Sequence, residues 1–542
     1  MLRKDFYQPG GTMTTNKVIC NKCGCVMILR IRKSDNVRFW GCSNFPNCKN
    51  TVPFESISVA ASPEEVKKEF KPSIYQQAIF DWVKGKSKSL VVEALAGSGK
   101  TTTGVQMLRY VPSNLDVVYV AFNRHIADEL KMRVPSNVRV MTYHALGNSA
   151  VHMAYGDVKL EENKTEQILD SILDKYTYKH LYSSIKHLVS LVKANLTGTS
   201  AEELDYLADR YGIELNGDRE LIFLASQEVI KKSAAMTSVI DFDDMCWLPV
   251  FHNLRMRKYD FIFIDEAQDT NKNQIALALM SVKDNGRIVA VGDRYQSIYG
   301  FRGADVDAIP NLIENLEADT LPLSITYRCP KSHVALINQM FPEIPLECSE
   351  TAKEGEVSKI GMQNFLSEVK QGDMVLCRCN APLVTPAFSL IRKGIKAIIR
   401  GRDIGNNLMS LIRKMKARDI QELNIKLHEY SVKEVQKLLE REKNSAAQSL
   451  QDKVDTIYAL MDNTDTISDL EDKIETIFSD TNAGVVFSSV HKAKGLEANK
   501  VYILSPELMP HPAAKASWEK AQEKNIQYVA YTRSLDQLIL VA

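Results

Sequence analysis

The chain predicts an α/β fold, with two parallel-sheet domains covered by helices on both faces and a small metal-stapled module ahead of them. Three observations carry this reading. Short apolar runs alternate with helix-patterned stretches from Tyr75 onward, and five cysteines crowd between Cys20 and Cys48. A glycine-punctuated loop, ALAGSGKT over Ala94–Thr101, sits between the apolar run Leu90–Val92 and a helix-patterned stretch. At 542 residues the chain has room for about three or four domains. A 45% hydrophobic and 25% charged composition describes a globular protein with ample core. The net charge of +1 leaves any basic surface local. No apolar run approaches the roughly 20 residues that span a bilayer. The opening MLRKDFYQPGG lacks the apolar core of a signal peptide, which predicts an intracellular protein with no membrane partner.

Residues 1–17 read as a disordered tail and 18–52 as a zinc ribbon. Cys20, Cys23, Cys42 and Cys48 form C-x2-C-x18-C-x5-C, two close thiolate pairs suited to a closed tetrahedral zinc site. So short a segment cannot bury enough core alone, and zinc supplies the folding energy. Cys25 lies too near Cys23 to be an obvious further ligand. Arg30, Arg32, Lys33 and Arg38 can meet phosphates, and Phe39, Trp40 and Phe45 can stack on bases. The run FWGCSNFPNC resembles the small zinc ribbons of bacterial type IA DNA topoisomerases, which implies contact with single-stranded DNA. A purely structural or protein-binding ribbon remains open.

Residues 53–72, charged and broken by proline, read as a linker. The first sheet domain, 73–320, takes strands at Leu90–Val92, Val117–Phe122, Val138–Met141, Phe261–Ile264 and Arg287–Val291. A helix-patterned block at about 150–235 interrupts the alternation and reads as an insertion. The second, 321–542, takes strands at Met374–Cys377, Ile395–Ile399, Val485–Phe487, Val501–Leu504 and Leu538–Val541. A charged helical insertion spans about 406–482, its apolar spacing too irregular for a clean heptad.

The chemistry begins in the glycine loop. Gly97 and Gly99 let successive backbone N–H groups converge on a polyphosphate, with Ala96, Ser98 and Thr102 completing the cradle. Lys100 reaches the terminal phosphates and the Thr101 hydroxyl holds Mg²⁺. In YDFIFIDEAQD a strand ends in two carboxylates. Asp265 suits Mg²⁺, and Glu266 suits orienting or deprotonating the attacking water.

The next segment, VGDRYQSIYGFRGA over Val291–Ala304, together with DEAQD, resembles the UvrD/Rep group of superfamily 1 helicases. The resemblance runs from Tyr75 to the carboxyl terminus and implies two RecA-like P-loop NTPase domains, ATP as substrate and single-stranded DNA as track. It implies adenine reading by Gln76, with Gln77 leaving the register open, and γ-phosphate sensing by Gln296. Tyr327 would stack on adenine, Arg328 would reach the γ-phosphate, Glu497 would touch the ribose and Arg533 would be the arginine finger. Phe122, Asn123, Thr142, His144, Tyr299, Phe301, Arg302, Ser489, His491 and Lys494 would contact DNA. The segment QEKNIQYVAYTR carries Gln522 and Glu523 at the start of the last motif.

The combined expectation is a monomeric, ATP-driven 3′ to 5′ DNA helicase acting on single strands and junctions in repair, replication or recombination. A protein-stripping translocase that barely unwinds, and an ATP-switched nucleic-acid scaffold, are the alternatives. The second insertion is smaller than in large bacterial members, and the chain stops soon after the last motif. That compact layout is similar to the eukaryotic F-box DNA helicase core, although no F-box is visible.

Overall fold

The computed structural model describes residues 20, 22–23, 27–31, 38–43, 48–53, 70–85, 88–213, 215, 218–298, 307–440, 444–462, 464–479, 484–512, 514 and 517–542. The chain divides into two compact units, Met1–Lys71 and Pro72–Ala542. In the first, strands Met27–Ile31, Arg38–Cys42 and Thr51–Pro53 form an antiparallel three-stranded sheet. Its described buried apolar cluster consists of Cys20, Met27 and Cys42, flanked by Trp40 and Cys48. A core this small needs a staple.

Among the described residues the second unit holds two large parallel sheets, beside two short two-stranded ones. In the six-stranded sheet the order is Asp319–Leu323, Leu90–Ala94, Val282–Gly292, Tyr259–Ile264, Val117–Ala121 and Val138–Thr142. Strand residues alternate between its two faces. Val92, Tyr119, Phe263 and Val289 enter one apolar cluster, while Val91, Val118, Ile262 and Ala290 enter the other. Burial on both faces is what near-continuous apolar strands require. The seven-stranded sheet runs Glu356–Ile360, Ser534–Val541, Ala498–Leu504, Met374–Cys377, Val485–Ser489, Ala397–Arg400 and Phe478–Ser479.

Helices occupy both interrupting stretches. Between Thr142 and Tyr259, helices that include Lys164–Ile172, Tyr182–Asn195, Arg219–Ala235 and Phe242–Phe251 build their own core around Leu188, Val189, Ile222 and Val229. Gly147 lets the helix Tyr143–Tyr155 lie directly on Phe242–Phe251, since a Cβ there would fall 2.1 Å from the Met245 carbonyl oxygen. The second stretch forms helices Arg402–Met415, Ile420–Glu440, Asn444–Met461 and Ile467–Ile477. Their Leu408, Leu427, Val454 and Ile474 join Val375 and Phe487 of the sheet in one cluster, so this insertion shares the core of its domain.

A further cluster ties the two sheet domains together. Leu95, Ala96 and Ile298 of the first pack with Ile503, Ile526, Tyr528 and Leu540 of the second. The phosphate loop is therefore part of an interdomain core.

Candidate nucleotide cleft and nucleic-acid track

The loop after Leu90–Ala94 adopts the left-handed backbone that its glycines permit, with φ +71° at Gly97 and +80° at Gly99. Gly97 is crowded from the second domain. A Cβ there would lie 2.5 Å from Arg328 Cβ and 2.6 Å from Thr326 Oγ1, and the Tyr327 N–H donates to the Gly97 carbonyl at 2.9 Å. Lys100 opens the helix Lys100–Met107. Its charge favours ionisation of Asp265, Glu266, Asp269 and Asp293, so the ammonium faces the whole acidic group.

The strand Tyr259–Ile264 delivers Asp265 and Glu266 to the loop. The Thr101 hydroxyl donates to Asp265 Oδ2 at 3.2 Å, as does the Tyr119 hydroxyl at 3.2 Å. Two hard oxygens at that separation suit adjacent ligand positions on an octahedral Mg²⁺, which lie about 3 Å apart. Burial, then repulsion from Glu266, pushes Asp265 up to about 6. For Glu266 burial works the same way, but Lys100 and Lys494 outweigh it and hold the carboxyl below the usual range. The two neighbouring carboxylates are thus driven apart in acidity. Glu266 also has φ +50°, an uncommon conformation for a residue with a side chain, and Gln268 Nε2 donates to its carboxylate at 2.6 Å.

A chain of hydrogen bonds continues from there. The Asp293 N–H donates to Gln268 Oε1 at 2.9 Å, and Gln296 Nε2 donates to Asp293 Oδ2 at 2.7 Å. Arg533 Nη2 then donates to Gln296 Oε1 at 3.4 Å. Arg533 is fully buried, held by the carbonyl of Val529 at 2.8 Å and the hydroxyl of Thr532 at 2.9 Å. Burial, with the nearby Arg328 charge, lowers its pKa to about 10. Arg328 donates through Nε to Glu497 at 2.7 Å, so two residues expected to touch the nucleotide are paired with each other. Gln76 is buried, its Nε2 donating to Thr103 at 3.0 Å, while Gln77 is exposed and bonded to Asp81. That places Gln76 on the loop side.

Residues read as the DNA track are distributed differently. Phe122 is 40% exposed, and Asn123 and Thr142 cap the helices that follow them through Ile126 N and Ala145 N. His144 is exposed and meets the ring of Phe242 edge-on at 6.3 Å. Ser489 is buried, and His491 lies half-buried on the helix Val490–Ala493. Lys494 is drawn into the cleft and pairs with Asp269 at 2.6 Å. Tyr327 is 54% exposed. Tyr299, Phe301 and Arg302 lie outside the described residues, as do Cys25 and Phe45.

Five contributors escaped the sequence reading. Tyr119 reads as an ordinary strand residue, yet it bonds Asp265. Gln268 and Asp293 lie inside quoted motifs but gain roles only through the hydrogen-bond chain. Thr326 accepts from the Arg328 and Cys329 N–H groups, both at 3.2 Å, and thereby shapes the turn against Gly97. Phe242, 47% exposed, had no signal beyond being an aromatic on a helix start.

In the first unit the four sulfurs of Cys20, Cys23, Cys42 and Cys48 all lie within 4.8 Å of one another. Sγ–Sγ separations are 3.8 Å for Cys20–Cys48 and 3.3 Å for Cys23–Cys42. Tetrahedral zinc with bonds of 2.3 Å sets its sulfurs about 3.8 Å apart, so the donor set fits.

Comparison with known proteins finds two family likenesses. Residues 76–317 match the family described as the UvrD/REP helicase N-terminal domain, and residues 17–57 match the topoisomerase DNA binding C4 zinc finger. Among curated proteins the chain is similar to F-box DNA helicase protein 1 of Schizosaccharomyces pombe, 27% identical over 50% of this chain and 32% of that protein. It is similar to the ATP-dependent DNA helicase Rep of Buchnera aphidicola, 26% identical over 40% of this chain and 36% of the relative. PcrA of Staphylococcus epidermidis, also an ATP-dependent DNA helicase, is 26% identical over 46% of this chain and 37% of the relative. The chain thus spans about a third of the length of the curated relatives it matches. The likeness is thus to the UvrD/REP helicase N-terminal domain over residues 76–317 and to the topoisomerase-type C4 zinc fingers over residues 17–57.

Proposed function

We propose that this chain is an ATP-driven motor that moves 3′ to 5′ on single-stranded DNA and opens duplex ahead of it. One observation carries the reading: the hydrogen-bond chain from Glu266 through Gln268, Asp293 and Gln296 ends on Arg533 of the other sheet domain. Such a chain gives the state of the nucleotide a physical route to the relative position of the two domains. Lys100 and the loop N–H groups bind the phosphates of ATP. Glu266 orients the attacking water, and Arg328 and Arg533 stabilise charge on the transferred group. In related phosphoryl transfers an arginine finger contributes about 10³ to 10⁵ in rate. Mg²⁺, held by Thr101 and Asp265, neutralises phosphate charge when bound.

The exposed rings of Phe122, His144 and Phe242 offer stacking surfaces that tolerate any base, worth about 1–3 kcal/mol each. The zinc ribbon adds a second grip on single strands. The direction rests on the family likeness.

Strand displacement on duplexes with a 3′ or a 5′ single-stranded tail tests the proposal, with Lys100→Ala as control. Displacement from 3′-tailed substrate that needs ATP and Lys100 is the expected result. Displacement only from 5′ tails would reverse the polarity, and DNA-stimulated ATPase with no displacement on either substrate would leave a translocase.

A further inference from the structure

We infer that Tyr528 is a positioning residue for ATP hydrolysis, one that fixes the helix leading into Arg533 against the phosphate loop. The inference rests on the proposed ATPase. Tyr528 is fully buried, and its hydroxyl accepts a hydrogen bond of 2.9 Å from the backbone N–H of Ala96, inside the phosphate loop. The two residues are 432 positions apart and belong to different sheet domains. The contact therefore bridges the two sheet domains.

Tyr528 does not act alone. Asn525, one turn earlier on the helix Ser517–Tyr531, donates through Nδ2 to the carbonyls of Arg294 at 3.3 Å and Ser297 at 3.0 Å. Residues three apart share a helix face, so Asn525 and Tyr528 form one docking face. It meets the first domain at the two segments flanking the hydrolysis site, the phosphate loop and the turn bearing Gln296. The Tyr528 ring adds edge contacts to Tyr295 at 6.1 Å and Phe341 at 6.2 Å. Five residues beyond Tyr528 the chain delivers Arg533 to Gln296.

The physical logic is registration. Arg533 is buried and held most closely by the Val529 carbonyl and the Thr532 hydroxyl at the end of that helix, with a longer bond to the Leu496 carbonyl, so its position follows the helix. Catalysis by a positioned charge falls steeply with displacements of about 1 Å. The Tyr528 hydroxyl and the Asn525 amide set that register through polar contacts that have one good geometry, which apolar packing alone does not impose. Removing the hydroxyl leaves the Ala96 N–H buried without this acceptor, which penalises the closed arrangement selectively.

The test uses the full chain and measures ATPase at saturating single-stranded DNA. Tyr528→Phe keeps the ring and is expected to lower kcat about tenfold to a hundredfold, with KM for ATP within about twofold. In an Arg533→Ala background the same substitution should change kcat less than about twofold, because the residue acts through the arginine. Asn525→Ala, at a half-buried position, should show the same split and serves if Tyr528→Phe fails to fold. Equal and independent kcat losses with and without Arg533 would overturn the inference. So would unchanged kcat in a folded Tyr528→Phe protein, whose hydroxyl would then serve packing only. A parent chain with no DNA-stimulated ATPase would instead remove the proposed function, and this inference with it.

Discussion

The Lys494 ammonium lies 2.6 Å from Asp269 Oδ2 and 2.7 Å from the Gln296 carbonyl, burying a cation of the second sheet domain in the acidic turn of the first. Both side chains are under 10% exposed. Removing one partner of such a pair strands the other, at about 3–5 kcal/mol, whereas removing both costs much less. Lys494→Met should therefore destabilise more than Lys494→Met combined with Asp269→Asn. Thermal unfolding of the four proteins as a double-mutant cycle reads the coupling; additive effects would mean that the pair is not formed.

Lys100→Ala should abolish ATP turnover by at least about a hundredfold, since the charge that faces all four carboxylates of the cleft is lost. Single-stranded DNA binding should persist. Fluorescence anisotropy with a labelled oligonucleotide distinguishes this from general misfolding, in which both would fail.

Gly97→Ala combines a positive φ with a Cβ 2.5 Å from Arg328 Cβ. The left-handed backbone costs a non-glycine residue about 1–2 kcal/mol, and the clash pushes the Thr326–Arg328 turn away. ATPase kcat should fall more than about tenfold while far-ultraviolet circular dichroism is retained. Wild-type kinetics in the variant would show that the turn does not approach the loop in the working enzyme.

Within the first helical insertion, Asp244 meets Lys164 at 2.6 Å and Lys193 at 2.8 Å with all three side chains buried. Lys164→Met should lower unfolding free energy by about 3–5 kcal/mol in urea titration. Burial opposes the ionised Asp244, yet Lys193 and Lys164 hold its pKa below the ordinary 3.8. A carboxylate with a depressed folded pKa contributes fully above its unfolded value and loses that contribution as pH falls through the folded one. The stability gap between wild type and Asp244→Asn should therefore be full above about pH 5 and shrink below about pH 4. A gap that widens in acid would contradict the pairing.

Metal analysis of the purified chain should give about one zinc per molecule, and strong chelators should unfold the amino-terminal unit. Cys42→Ser, which removes a buried ligand position, should release the metal. Retention of zinc by that variant would point to a different ligand set.

Much of this was legible in the sequence because its signals are local. Strands such as Val117–Ala121 and Tyr259–Ile264 announce themselves because both faces are buried, which demands unbroken apolar runs. The edge strands Asp319–Leu323 and Glu356–Ile360 carry no such signal. Each lies at a margin of its sheet and tolerates Asp319, Pro322, Glu356 and Lys359, which blur the pattern. Likewise spacing does not tell which of Gln76 and Gln77 lies beside the glycine loop. Helix phase decides it, since one faces the loop and the next faces water.

The sequence by itself determined the α/β class, the four-cysteine cluster and the glycine loop with its paired carboxylates. Each is written in residues close together along the chain, where backbone freedom, charge and periodicity act directly. Only the tertiary structure decided which distant groups meet. It paired Lys494 with Asp269, joined Arg328 to Glu497 and set the Tyr528 hydroxyl on the Ala96 N–H. Those contacts depend on how two separately formed sheets dock, and the shared apolar cluster around Leu95, Ile298 and Ile526 that docks them has no period or spacing to betray it.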